Sequence, residues 1–301
     1  VYNSQWNVST LFQNINQTNS VLASGNWIRF KVNETGVYKI DKNLLNQLGV
    51  PQDVDPKSIK IYGQGGGMLP LANSENFNFD LPEIAIQVQG EQDGVLNDGD
   101  FVSFYGVGTK GWSDENATHL NLYSTDAYYY ITYGGALGKR MQNYTEPTGD
   151  TVVTYNTYTA RVFHEQDLVN IAQLSRKWFG EDFSSRFQLP FNFQMPLLDS
   201  SKPVVFGINV GAVSAGQTVF SYTVNGQPTG SKTLPAKGNG LGWEGYYKQE
   251  INLSGENNSV QVNFNNSGVP SAQGYVDFVS IFYNVYVGYY VSSVVDYGTR
   301  T

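Results

Sequence analysis

The stretch TVFSYTVNGQ, Thr218–Gln227, decides how the second half of the chain is read. A strand-forming run ends at Asn225-Gly226, and an Asn-Gly pair is the favoured centre of a two-residue hairpin turn, where both residues take positive φ. The same alternation of strand runs and turns extends to either side. RFQLPFNF and PVVFGINVGA precede it, and YYKQEINLS, SVQVNFNN and GYVDFVSIFYNVYV follow. From about residue 184 the pattern is β throughout, with strands recurring at intervals of roughly ten residues, the spacing of a β-sandwich.

Upstream, the reading is also of strands. In NWIRFKVNETGVYKI, Ile28, Phe30 and Val32 share one face of an extended segment, NETG turns, and VYKI returns, which reads as a hairpin. Asp41 is placed to cap a short helix carrying Leu44, Leu45 and Leu48, ended by Gly49 with Pro51 beyond it. SIKIYG, EIAIQVQG, DFVSFYG and AYYYITYGG read as further strands, with Ile84, Ile86 and Val88 alternating along the second of them. TVVTYNTYTARVFHE reads as a long strand. In EQDLVNIAQLSRKWFGEDF, Leu168, Ile171 and Leu174 stand near helical spacing, the mark of a short helix or a structured loop. Residues 1–20 read as a strand-like arm or lead-in, and 134–150 as a turn-rich connection. The fold class expected is all-β. It comprises an N-terminal β domain over 1–150 with a short helix near 42–48, and a β-sandwich over 151–301.

Composition narrows the function. Of 301 residues, 21 are Tyr, 17 Phe and 32 Gly, with only 15% charged, a balance that suits strands and turns. The net charge of −8, with 18 scattered basic residues, argues against nucleic acid and against an anionic membrane surface. There is no cysteine, which removes thiol nucleophiles, Cys-ligated zinc and disulfides. The chain opens at Val1 without a basic-then-apolar leader, as a mature or trimmed chain would. No apolar run approaches the roughly 18 residues of a spanning helix.

Five groups of residues invite a chemical reading. IYGQGGGMLP, Ile61–Pro70, has Gly63 and Gly65 in dinucleotide-loop spacing, but Met68 stands at the last glycine position and Pro70 obstructs the helix start. It reads as a glycine turn after a strand. In EQDGVLNDGD, the oxygens of Asp93, Asn97, Asp98 and Asp100 are candidate calcium ligands, since calcium takes about six to eight oxygens from such loops. A hairpin loop explains the same residues, and the EF-hand spacing is absent. The two histidines, His119 and His164, the latter near Glu165 and Asp167, lack any nucleophile elbow or zinc motif and read as structural. The pairs Glu181-Asp182 and Asp114-Glu115 read as loop charge unless they converge across a cleft. Trp112, Trp178 and Trp243 are candidates for a sugar platform, against the ordinary role of filling a core. No organic cofactor is implied.

Several blocks together resemble a known family. GNWIRFKVNETGVYKID, IKIYGQGGGMLP, DGVLNDGDFVSFYG, NLYSTDAYYYITYG and HEQDLVNIAQLSRKWFGEDF, with its Trp-Phe-Gly-Glu box at Trp178–Glu181, resemble in order the N-terminal part of the PorU-like sortases of the type IX secretion system. Those proteins are built around a gingipain-like cysteine peptidase domain. The resemblance runs from about Ser20 to about Tyr283. It implies a protein that as a whole cuts C-terminal signal domains from exported cargo and links the cargo to anionic lipopolysaccharide. It also implies a location on the extracellular face of the outer membrane, bound to the barrel protein PorV and other attachment-complex components. The family's catalytic Cys and His lie downstream of the matching region, so the resemblance carries no catalytic residue onto this chain. The alternative reading from a different class is a carbohydrate-binding or adhesin module at the cell surface.

Overall fold

The structure, a computed structural model, describes residues 19–72, 78–143, 156–173, 176–286 and one strand at Val295–Asp296. The chain divides into two compact units, 1–148 together with 291–301, and 149–290. The expected N-terminal arm lies outside the described residues. No described helix is long and apolar enough to cross a membrane.

The first unit holds β1 (Ile28–Val32), β2 (Gly36–Asp41), β3 (Lys60–Tyr62), β4 (Glu83–Ile84), β5 (Gln87–Gln89), β6 (Phe101–Gly106), β7 (Lys110–Ser113), β8 (Thr118–Leu120) and β9 (Ala127–Thr132). The second holds β10 (Thr157–Glu165), β11 (Gln188–Gln194), β12 (Val204–Val213), β13 (Thr218–Val224), β14 (Gln227–Leu234), β15 (Trp243–Ile251), β16 (Asn257–Asn265) and β17 (Gln273–Tyr286). The last strand, β18 (Val295–Asp296), pairs in parallel with β2 and so belongs to the first unit, not to the sandwich. One described α-helix, α1 (Lys42–Gln47), follows β2. The Asp41 carboxylate accepts from the Leu44 N–H at 2.8 Å, Leu45 is buried, and Gly49 turns the chain at φ 93°.

Two four-stranded sheets, β1-β9-β3-β4 and β18-β2-β6-β5, enclose the first core, with β7 and β8 as a separate hairpin. Val32, Tyr38, Ile40, Ile59, Ile61, Ile86, Phe104, Tyr129 and Ile131 fill it. The expected hairpin across NETG does not form. β1 pairs with β9 in one sheet, while β2 pairs with β6 in the other. Val32 and Tyr38 both have to face the core, and the short turn meets that demand by carrying the chain from one layer to the other. The Tyr38 hydroxyl, donating to the Glu34 carbonyl, pins this corner. EIAIQVQ behaves in the same way. β4 pairs with β3, β5 pairs with β6, and Ile86 at the break is buried and hydrogen-bonded on both sides to 139–141. The inward face predicted for Ile84, Ile86 and Val88 is kept while the chain changes sheets.

The second unit is an antiparallel sandwich of β10-β17-β12-β15 and β11-β16-β13-β14. Asn225 (φ 50°) and Gly226 (φ 77°) close the β13–β14 hairpin, with Val224 opposite Gln227. Alternating residues of β11, Leu189, Phe191 and Phe193, point inward, and Pro190 points outward on this edge strand, the place where a missing N–H costs least. They meet Phe206, Ile208, Val210, Phe220, Tyr222, Val260, Val262, Val279 and Ile281 in one continuous core. The segment from 166 to 183 is a structured loop in its described residues. Val169 and Phe179 exchange backbone hydrogen bonds at 2.8 Å as an antiparallel bridge, and Leu168 is exposed, so the described part of the segment is held by strand-like pairing and not by a helix.

Candidate functional site

The glycine loop after β3 turns a corner by close packing. A Cβ on Gly63 would enter the Tyr129 ring, and one on Gly66 would enter the backbone of Gly108. The Gly66 N–H donates to the Val107 carbonyl at 2.9 Å, and its own carbonyl accepts from the Asn121 amide at 2.8 Å. Only Gly65 needs left-handed geometry, at φ 80°. Both backbone groups of Gly66 are therefore engaged by protein.

The Trp-Phe-Gly-Glu box works as a staple that holds the 166–183 loop on the sandwich. The Phe179 ring lies over Gly211, where a Cβ would overlap it. The Gly180 N–H donates to Val276 at 2.7 Å, and the Val276 N–H returns to Glu181 at 2.9 Å. Glu181 Oε1 lies 2.6 Å from His164 Nε2. Burial works against the Glu181 carboxylate, yet the His164 contact, aided by Arg186, brings its pKa below the usual value. His164 therefore pairs with Glu181 and not with Asp167.

Lys177, just before the box, anchors the loop electrostatically. Its Nζ lies 2.5 Å from Asp277 Oδ2 and 3.3 Å from Glu244 Oε2, and the Asn209 amide donates to Asp277 at 2.8 Å. Asp277 is 3% exposed, inside β17. Burial pushes its carboxyl up to about 6 despite the ammonium and amide beside it. Burial also opposes the Lys177 charge, but Asp277 and Glu244 outweigh it and hold that pKa above the ordinary lysine value. Burial and then Glu165 raise Asp167 as well. Sequence reasoning missed Lys177, Glu244 and Asp277. One signal was present: an aspartate within the apolar run GYVDFVSIF requires a partner.

Over this pair lies a pocket of about 150 Å³, walled by Ile171, Phe179, Leu241 and Trp243, with Lys177 and Glu244 at its polar end. Of the three candidate platform tryptophans, Trp243 is 51% exposed, its indole N–H held by the Ala236 carbonyl at 3.0 Å. Trp112 packs against His119, ring centroids 4.8 Å apart, and donates to Asp114; Trp178 is half-buried.

The remaining candidates bond within their own loops or to neighbouring segments. Asp93 accepts from the Val95 N–H and the Asn97 amide, Asp100 accepts from the Asn97 N–H at 2.7 Å, and Asp98 reaches out to Lys42 at 3.1 Å. Among the described residues, no group of three or more His, Asp or Glu side chains is arranged to hold a metal ion. Glu115 accepts from the Leu71 N–H, Asp114 from the Trp112 indole N–H and Asp182 from the Ser184 N–H, while Glu181 faces His164.

No family model matches this sequence, and no curated protein does. Among solved structures, dimeric latent PorU from Porphyromonas gingivalis is similar with a TM-score of 0.73 at 23% identity, over 89% of this chain and 25% of that one. A CBM35 module from Cellvibrio japonicus Abf62 gives a TM-score of 0.26 at 12% identity, over 42% of this chain and 91% of the module. A CBM36 module in complex with calcium and xylotriose gives 0.25 at 12%, over 31% and 71%. Overlaps as loose as these last two carry no argument for sugar or calcium. The chain spans about a quarter of the PorU chain. At that identity the likeness establishes architecture: this all-β chain folds as one quarter of PorU folds.

Proposed function

We propose that this chain is the non-catalytic N-terminal region of a PorU-like type IX secretion sortase. The observation that carries the reading is the fold likeness over 89% of the chain, and the ordered sequence blocks support it independently. The whole protein would cleave C-terminal signal domains from cargo and attach the cargo to anionic lipopolysaccharide on the extracellular face of the outer membrane. This region, with no cysteine, brings no thiol to that chemistry. Its part is to position the downstream peptidase domain or to dock on PorV within the attachment complex.

The purified chain, immobilised and exposed to PorV in detergent, tests the docking role. Saturable capture supports it, and the chain alone leaves a cargo signal domain uncut. Cleavage by the chain alone overturns the reading. Saturable binding of lipopolysaccharide sugars that is lost on Trp243→Ala, without capture of PorV, makes the chain a carbohydrate-binding module instead.

A further inference from the structure

The pocket beside Trp243 has a chemistry that the sortase reading does not itself specify. Its volume of about 150 Å³ is well below the roughly 300 Å³ at which cofactor and drug-sized sites begin. It has room for one long side chain. Because the indole N–H is held by Ala236, Trp243 offers ring surface to solvent, and Leu241 beside it is 65% exposed. Glu244 is half exposed at the mouth, 53%, while Lys177 is drawn inward, closer to Asp277 than to Glu244. Around Lys177 the carboxylates of Asp277, Glu244, Asp167 and Glu165 act on it or on one another. Lys177, 3.3 Å from Glu244, is the one cation among the described lining residues and is outnumbered by these carboxylates, so an indole face next to the half-exposed Glu244 suits a second cation carried on an apolar stem.

We propose that this pocket receives a lysine or arginine side chain from an extended segment of a partner protein. The aliphatic stem lies against Trp243 and Leu241, and the cationic head meets Glu244. The chain's net charge of −8 draws basic segments toward it. The inference stands apart from the sortase reading, since it concerns the pocket whatever larger protein the chain serves.

The test uses the full chain and four blocked pentapeptides, Gly-Gly-X-Gly-Gly, with Lys, Arg, norleucine or Glu at the centre. The readout is the Trp243 indole N–H resonance. The Lys and Arg peptides are expected to shift it saturably, norleucine to bind about tenfold more weakly and Glu not at all. Glu244→Gln is expected to weaken the Lys peptide about fivefold or more and to leave norleucine unchanged. Norleucine binding as tightly as Lys overturns the proposal, because the pocket is then merely apolar. So does a resonance that no peptide moves. The wild-type comparison among peptides decides the matter even where the variant is unstable.

Discussion

Gly66 and Gly67 stand side by side, yet they have opposite tolerances. A methyl on Gly66 meets the Gly108 backbone, which has no flexible end to yield, whereas Gly67 faces open space. Gly66→Ala is expected to cost about 2 kcal/mol or more, and Gly67→Ala to stay within about 0.5 kcal/mol, both read from urea midpoints. The buried acid gives a second test at this scale. With its carboxyl at about 6 in the fold and near the ordinary 3.8 when unfolded, Asp277 binds a proton in the folded state that the unfolded chain has released between those values. Its contribution favours the fold most at low pH and is lost as pH rises through 6. Relative to Asp277→Asn, the wild type is therefore expected to lose stability from pH 4 to pH 7, on the order of 2 kcal/mol. Lys177→Met strips the ammonium from this acid and is expected to cost about 3 kcal/mol at pH 7. The cost is smaller at pH 5, where the carboxyl holds its proton.

The 166–183 loop and the sheet-changing strands mark the limit of what local pattern reveals. Alternation says which side chains face inward, so Ile84, Ile86, Val88 and the inward rows of the sandwich were legible. It does not name the partner strand, so the passages from β1 to β2 and from β4 to β5 between layers were not. The Asn225-Gly226 turn was legible because its backbone geometry is a property of those two residues. The loop was not, because its order comes from distant groups: Gly211 beneath Phe179, Val276 beside Gly180, and Asp277 under Lys177. The Trp178–Glu181 box was visible as a motif, but its stapling role needed those partners. Phe179→Ala is expected to cost about 3 kcal/mol and to raise hydrogen exchange at the Val169 and Gly180 amides before the rest of the sandwich opens. Uniform protection across the unit in that variant would contradict the stapled-loop account.

At the scale of the whole molecule, two β units without a cysteine side chain offer surfaces and a charged pocket. The candidate calcium residues bond within their own loop or to Lys42, and the carboxylate pairs are taken up by Trp112, Leu71, His164 and Ser184, partners that sequence spacing alone did not reveal. On the reading proposed above, this chain is the non-catalytic part of a longer PorU-like protein. The most direct measurement is the mass and peptide content of the native polypeptide, captured from cells with an antibody against this chain. The expected species is several times heavier than 33.4 kDa, with cysteine-bearing peptides from a peptidase domain downstream of Thr301. A native polypeptide of 33.4 kDa, without such a domain, would contradict it.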